Sequence, residues 1–206
     1  TGIVRSALVK IGLKDEAVGF SPWGGLLVEN LGLSKDFLSR NDALFAASSA
    51  TGTAKAPVQA IPTTLADWAL MNNDADLDYY IEDIWCWGVS GTLGLGLALL
   101  ACVSAPNQTA ITADYTSSQI GSLSGGPKTT KANFNSAATM IRLQAPWKVV
   151  AARSQLAAIE VGSGLVANIN GGMKVPPTAL LGITVLAPVG TTALFGVGVS
   201  WAQKPH

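Results

Sequence analysis

Five carboxylates crowd the stretch NNDADLDYYIED, where Asp74, Asp76, Asp78, Glu82 and Asp83 are interleaved with apolar and amide side chains. Oxygen ligands at alternate positions are the raw material of a hard-cation loop, which in an EF-hand also needs Gly at position 6 and a bidentate Glu at position 12. Counted from Asp74, those positions hold Tyr79 and Trp85. The turn and the closing ligand are both missing, so the segment reads as a solvated acidic turn leading into a strand, and no metal site is expected. A glycosidase pair among the same acids has no better footing, because two carboxylates must face each other across a sugar ring and spacing along the chain does not establish that.

Nucleophilic chemistry fares no better. His206 is the only histidine and follows Pro205, so a Ser-His or Cys-His pair would have to recruit the end of the chain. It reads as a frayed tail. There is no GxSxG elbow, phosphate-binding GxxxxGK[ST] loop or HExxH helix, and Cys86 and Cys102 form neither a metal-spaced pair nor a disulfide framework. No catalytic residue, cofactor or enzyme activity is therefore expected. The tryptophans Trp23, Trp68, Trp85, Trp87, Trp147 and Trp201 could stack on sugars, the best case for a lectin-like module. Strand-like patterns around Trp85 and Trp201 instead predict that these two fill a core.

Thirteen basic and thirteen acidic side chains cancel, which removes any chain-wide electrostatic footprint for nucleic acid or an anionic membrane. Only 13% of the 206 residues are charged, against 49% hydrophobic and 22 glycines, so small uncharged residues must supply much of the surface. The chain opens Thr1-Gly2-Ile3 with no initiator Met and no signal-peptide pattern, which fits either processing or a partial chain. One domain, or a domain with an arm, is what this length accommodates.

The positioning elements follow from periodicity. Val175 to Gln203 carries no Asp, Glu, Lys, Arg or His. Pro176, Pro177, Pro188 and Gly190 interrupt it too often for a membrane helix. Its residues alternate instead: Leu181, Ile183 and Val185 on one parity, then Phe195, Val197, Val199 and Trp201. A three-residue loop, Pro188-Val189-Gly190, would let both sets face one core across an antiparallel hairpin, with Gly190 at positive φ. The same alternation predicts strands over 77–89 and 93–103, joined by a hairpin near Gly91 that sets Cys86 near Gly96 and Cys102 near Tyr80. Asp83 and Ile84 break parity within the first of these and signal a bulge or an edge. Further strands are expected at 109–115, 138–144, 147–153 and 164–170, with an exposed loop over 117–131.

Short strands divided by Pro, Gly, Asn and Ser clusters predict an all-β fold, an antiparallel β-sandwich of jelly-roll-like form over 58–206. Residues 1–57 read as an N-terminal arm, with a short helix capped by Ser34 and running through Phe45, then a small-residue linker over 46–56.

Two segments carry a family resemblance. VPPTALLGITVLAPVGTTALFGVGVSW, preceded by GLVANINGG, resembles the closing strands of β-sandwich virion proteins of tailed bacteriophages, with a Val-Pro-Pro-x-Ala lead-in, a Gly-Thr-Thr turn and a last strand ending in Trp. IPTTLADWALMNNDADLDYYIEDIWCWGVSGT is similar to the matching first half. The resemblance spans roughly 58–203 and departs from the pattern in the acidic stretch 74–83 and the Gly alternation of 93–98. It implies a jelly-roll-like structural subunit located in the virion, commonly trimeric, that decorates or cements a capsid or sits in a tail or fibre. Its implied partners are copies of itself and the major capsid or other virion proteins, with no direct nucleic acid or membrane contact. The small-residue face of the closing hairpin, Gly182, Thr184, Gly196, Gly198 and Ser200, is the expected interface, since no ion need be desolvated there. The alternative is a carbohydrate-binding β-sandwich module.

Overall fold

A computed structural model describes residues 19–20, 26–27, 43–49, 53–92, 96–111, 121–123, 125, 130–154 and 164–205. Its regular elements are all strands: β1 (Gly19–Phe20), β2 (Leu26–Leu27), β3 (Leu44–Ser48), β4 (Leu65–Ala66), β5 (Trp68–Met71), β6 (Leu77–Ser90), β7 (Leu97–Val103), β8 (Gly121–Ser122), β9 (Asn133–Asn135), β10 (Ala138–Thr139), β11 (Lys148–Arg153), β12 (Gly164–Val175), β13 (Leu180–Leu186) and β14 (Leu194–Pro205). No described helix is long and apolar enough to cross a membrane.

Two antiparallel five-stranded sheets form the body, ordered β12-β6-β14-β3-β8 and β11-β7-β13-β5-β9. The pairings nest: β3 with β14, β5 with β13, β6 with β12, β7 with β11. Between nested partners the chain alternates from sheet to sheet, which is the rolled-up arrangement of a jelly roll. The all-β sandwich expected from the sequence is thus the observed fold.

Alternation fills the space between the sheets. Leu181, Ile183 and Val185 of β13 and Phe195, Val197, Val199 and Trp201 of β14 point into one core and are fully buried. Trp201 lies between Phe45 and Tyr79, with ring centroids at 6.1 and 5.8 Å. Removing one such indole from water contributes roughly 4–6 kcal/mol as an upper bound. A second, smaller apolar cluster covers the outer side of β5, β7 and β13, where the β4–β10 pair lays Ala66, Ala138 and Met140 over Cys102 and Leu180.

Several connections differ from expectation. Gly190 has φ 88°, and the amide of Thr191 donates to the Pro188 carbonyl at 3.3 Å, so the turn is present. Yet β13 and β14 do not pair; they lie in opposite sheets, and the turn is a corner between them. Both edges of β14 are taken by β6 and β3, and both edges of β13 by β7 and β5. Gly91, at φ 89°, likewise passes the chain from β6 in one sheet to β7 in the other and closes no hairpin. Cys86 therefore sits opposite Leu165 and Val197, and Cys102 opposite Gly182. Both cysteines are buried and free.

The N-terminal reading changes too. Leu44 and Phe45, expected to end a helix, and Ala46, expected to open a linker, form β3, because Phe45 and Ala47 insert into the core while the strand pairs with Gly198–Ala202. The rest of that helix, 34–42, lies outside the described residues, as do 93–95, 112–115 and His206. Residues 109–111 form no strand, 138–144 holds only β10 and an isolated bridge at Leu143, and Gly121–Ser122 of the expected loop pairs with β3.

Candidate binding face

The outer surface of the β12-β6-β14 sheet owes its character to one inserted residue. Across β14, Ser200 faces Asp83 and Trp201 faces Ile81; across β12, Asn168 faces Asp83 and Met173 faces Ile81. Glu82 has no opposite number on either side, which makes it a bulge in a central strand. An extra residue reverses the side to which all later residues point. Tyr79 and Ile81 face the core before it, Ile84 and Cys86 after it. Trp85 and Trp87 are therefore turned outward and only half-buried, so the expected core position of Trp85 is incorrect, whereas Trp201 is in the core as expected.

The outward indoles rest on glycine. Trp85 lies opposite Gly198 and Trp87 opposite Gly196. A Cβ on Gly198 would come within 2.3 Å of the Trp85 ring, and one on Gly196 within 2.4 Å of the Trp87 ring. Only a residue with no side chain lets the rings settle against the β14 backbone. The glycine alternation in the sequence is thus a bed for two aromatic rings of the same chain.

That arrangement relocates the expected interface. Gly196 and Gly198 are covered by Trp87 and Trp85. Ser200 is buried with its hydroxyl accepting from the Asp83 amide at 3.1 Å and donating to the Asp83 carboxylate at 3.2 Å. Gly182 lies under Met140 and Ala66, and the Thr184 hydroxyl accepts from the Asp67 amide at 3.2 Å. All five residues are sealed by their own chain, and no second backbone can reach them without displacing those groups. What faces solvent instead is an apolar surface of Trp85, Trp87 and Val166 (65% exposed) with Ser48 beside it, bordered by Asn168 and by the half-buried Asp83, whose carboxylate accepts from Ser200. Residues two apart on a strand are separated by about 7 Å, so the indoles form adjacent steps of one platform. The parity break at Asp83 and Ile84 was the only sequence signal for it.

The acidic stretch is mostly internal, contrary to the reading of a solvated turn. Asp74, Asp78 and Glu82 are buried and only Asp76 is exposed. Tyr79 donates a short hydrogen bond to Asp74, the Thr130 hydroxyl lies 3.2 Å from the same phenolic oxygen, and Gln203 donates to Thr130. Burial, reinforced by the hydrogen bond to Asp74, pushes the Tyr79 phenol above its ordinary range. Lys174 meets Asp78 at 3.2 Å and Lys131 approaches Asp74 at 3.9 Å. These contacts tie the start of β6 to β12 and β14. Among the described residues no group of three or more His, Cys, Asp or Glu is placed to hold a metal. Burial raises the Cys86 thiol to about 11 and the Cys102 thiol to about 12, so neither is a thiolate at neutral pH.

Protein-family models, curated proteins and solved structures give no match to the chain.

Proposed function

We propose that the chain is a non-enzymatic structural subunit of a bacteriophage virion, of the head-decoration or cement kind, that associates with copies of itself and with the shell. The observation that carries this reading is the apolar platform of Trp85, Trp87 and Val166 on the outer face of the β12-β6-β14 sheet. Aromatic side chains backed by rigid backbone are typical anchors of protein interfaces, and the one carboxylate at the border, Asp83, already accepts a hydrogen bond from Ser200 and can stay at the rim when the platform is covered. The jelly roll is compatible with the same role, since the fold recurs in viral capsid proteins, an analogy of architecture only. Trimeric assembly rests on the sequence resemblance.

The test is a double variant, Trp85→Ser with Trp87→Ser, compared with wild type by light scattering at micromolar concentration and by co-sedimentation with phage particles. Wild type should be oligomeric and bind particles, and the folded variant should lose both properties. A monomeric wild type that ignores particles would overturn the proposal.

A carbohydrate-binding module is the second reading, favoured by one observation: two half-buried indoles two residues apart on one strand stand on the same outer face as the exposed Asn168. A glycan-array signal that disappears in the double variant while self-association persists would select it.

A further inference from the structure

The jelly roll is open along one side. β11 and β12 are edge strands of opposite sheets, and they run beside each other there. Pairing of β12 with β6 breaks between Asn168 and Met173, and the intervening segment bows away, with Asn170 at φ 51° and Gly171 at φ 73°. This bow faces the start of β11. Between them lies a cleft of about 540 Å³, and a smaller one of about 170 Å³ continues it along β11, sharing Lys148, Gly172 and Met173.

The lining is chemically one-sided. Val103, Trp147, Met173 and Pro176 give apolar walls, and the charged residues are Lys148 and Lys174, with no acidic residue among them. Lys174 is already engaged by Asp78 at 3.2 Å, whereas Lys148 stands exposed at the rim. Trp147 is held in place, its indole N–H donating to the Thr63 carbonyl at 3.4 Å. A volume in the range of roughly 300–1,000 Å³ with apolar walls and few polar groups is what small-molecule sites share. Cys102 at the floor is held as a neutral thiol by burial, so the cleft is suited to binding and not to thiol chemistry.

We propose that this cleft binds a small organic anion with a flat or branched apolar body, seated between Trp147 and Met173 with its charge at Lys148. The main cleft shares no residue with the Trp85–Trp87 platform, Asn168 at the platform's border lining only the smaller continuation, and the proposal is independent of the virion reading.

The probe is 8-anilinonaphthalene-1-sulfonate, titrated into native protein at pH 7 and followed by its fluorescence, with the flat anion 2-naphthoate as competitor. Saturable one-to-one binding is expected, displaced by 2-naphthoate. Lys148→Glu, a surface change that leaves the fold alone, should weaken it at least about threefold, consistent with loss and reversal of one near-surface charge. Met173→Trp, which fills the cleft, should abolish it, and the Trp85→Ser/Trp87→Ser variant should leave it unchanged. Absence of saturable binding, binding indifferent to Lys148→Glu, or binding lost in the tryptophan double variant would each overturn the proposal.

Discussion

Gly198→Ala tests whether Trp85 is seated on β14. A methyl group there would lie 2.3 Å from the ring, well inside contact distance, and because the obstacle is a half-exposed side chain the indole can lift away. Lifting it uncovers on the order of 50 Å² of apolar surface, about 1 kcal/mol, and an off-rotamer indole adds about 0.5–1.5 kcal/mol. Against this, alanine removes the entropic penalty of a strand glycine, roughly 0.5–1 kcal/mol. The single variant should therefore be destabilised by about 1 kcal/mol. In a Trp85→Ala background the methyl meets open space and only the favourable term remains, so the same substitution should stabilise. Urea denaturation of the four proteins gives the coupling, expected at about 1–3 kcal/mol with a reversal of sign and unchanged m-values. Wild-type and Gly198→Ala tryptophan emission should also differ, the variant shifting to the red. Equal effects of Gly198→Ala in both backgrounds would refute the seating of the ring.

Other outcomes follow from backbone, thiols and a half-buried acid. Gly91 and Gly190 share a positive φ, but a Cβ on Gly91 would also meet the Thr192 carbonyl at 2.4 Å, whereas one on Gly190 meets nothing within 4 Å. Gly190→Ala should cost about 1 kcal/mol and Gly91→Ala clearly more, read as a larger fall in urea midpoint. With thiols raised to about 11 and 12, Cys86 and Cys102 should resist Ellman's reagent at pH 8 until urea unfolds the chain, when both react; prompt labelling of the native protein would contradict their burial. Asp67 is raised above its ordinary value by burial, partly offset by Lys55 and a hydrogen bond with Thr184. Its folded form binds a proton more readily than the unfolded chain, so its contribution to stability is full below about pH 3.9 and is lost as pH rises through the folded value. Asp67→Asn should therefore gain on wild type as the pH goes from 4 to 7, measured by thermal unfolding at each pH.

Strands were legible where alternation was strict, but their partners were not. In β13 and β14 a hairpin and a corner between sheets impose the same parity, since either way Leu181, Ile183 and Val185 face the same core as Phe195, Val197, Val199 and Trp201. Periodicity cannot separate those topologies; the choice is made by which other strands occupy the edges. β3 was illegible for another reason: LFAAS has no polar alternation and is short enough to pass for the end of a helix and the start of a linker, and only its long-range partner β14 makes it a strand. For the candidate face, Gly196 and Gly198 were visible as a small-residue stripe, but what covers them depends on register. The conflict at Asp83 and Ile84 announced a bulge without saying on which side of it the sheet would keep its tryptophans.

The nested pairing of the jelly roll also favours one order of assembly. Ala101 meets Lys148, 47 positions further on, while Leu44 meets Ala202, 158 positions further on. Closing the outer pair directly would cost about 1 kcal/mol more in chain entropy than closing the inner one. Once β7 has found β11, each successive pair is brought together by the one inside it, so the cheap route runs outward from β7–β11 to β3–β14. Its last event is insertion of β14 between β6 and β3, the two strands it bridges. During synthesis that event waits for residues after Leu194, and until they emerge β6 and β3 each present an open edge, the period in which a neighbouring nascent chain could pair with them in place of β14.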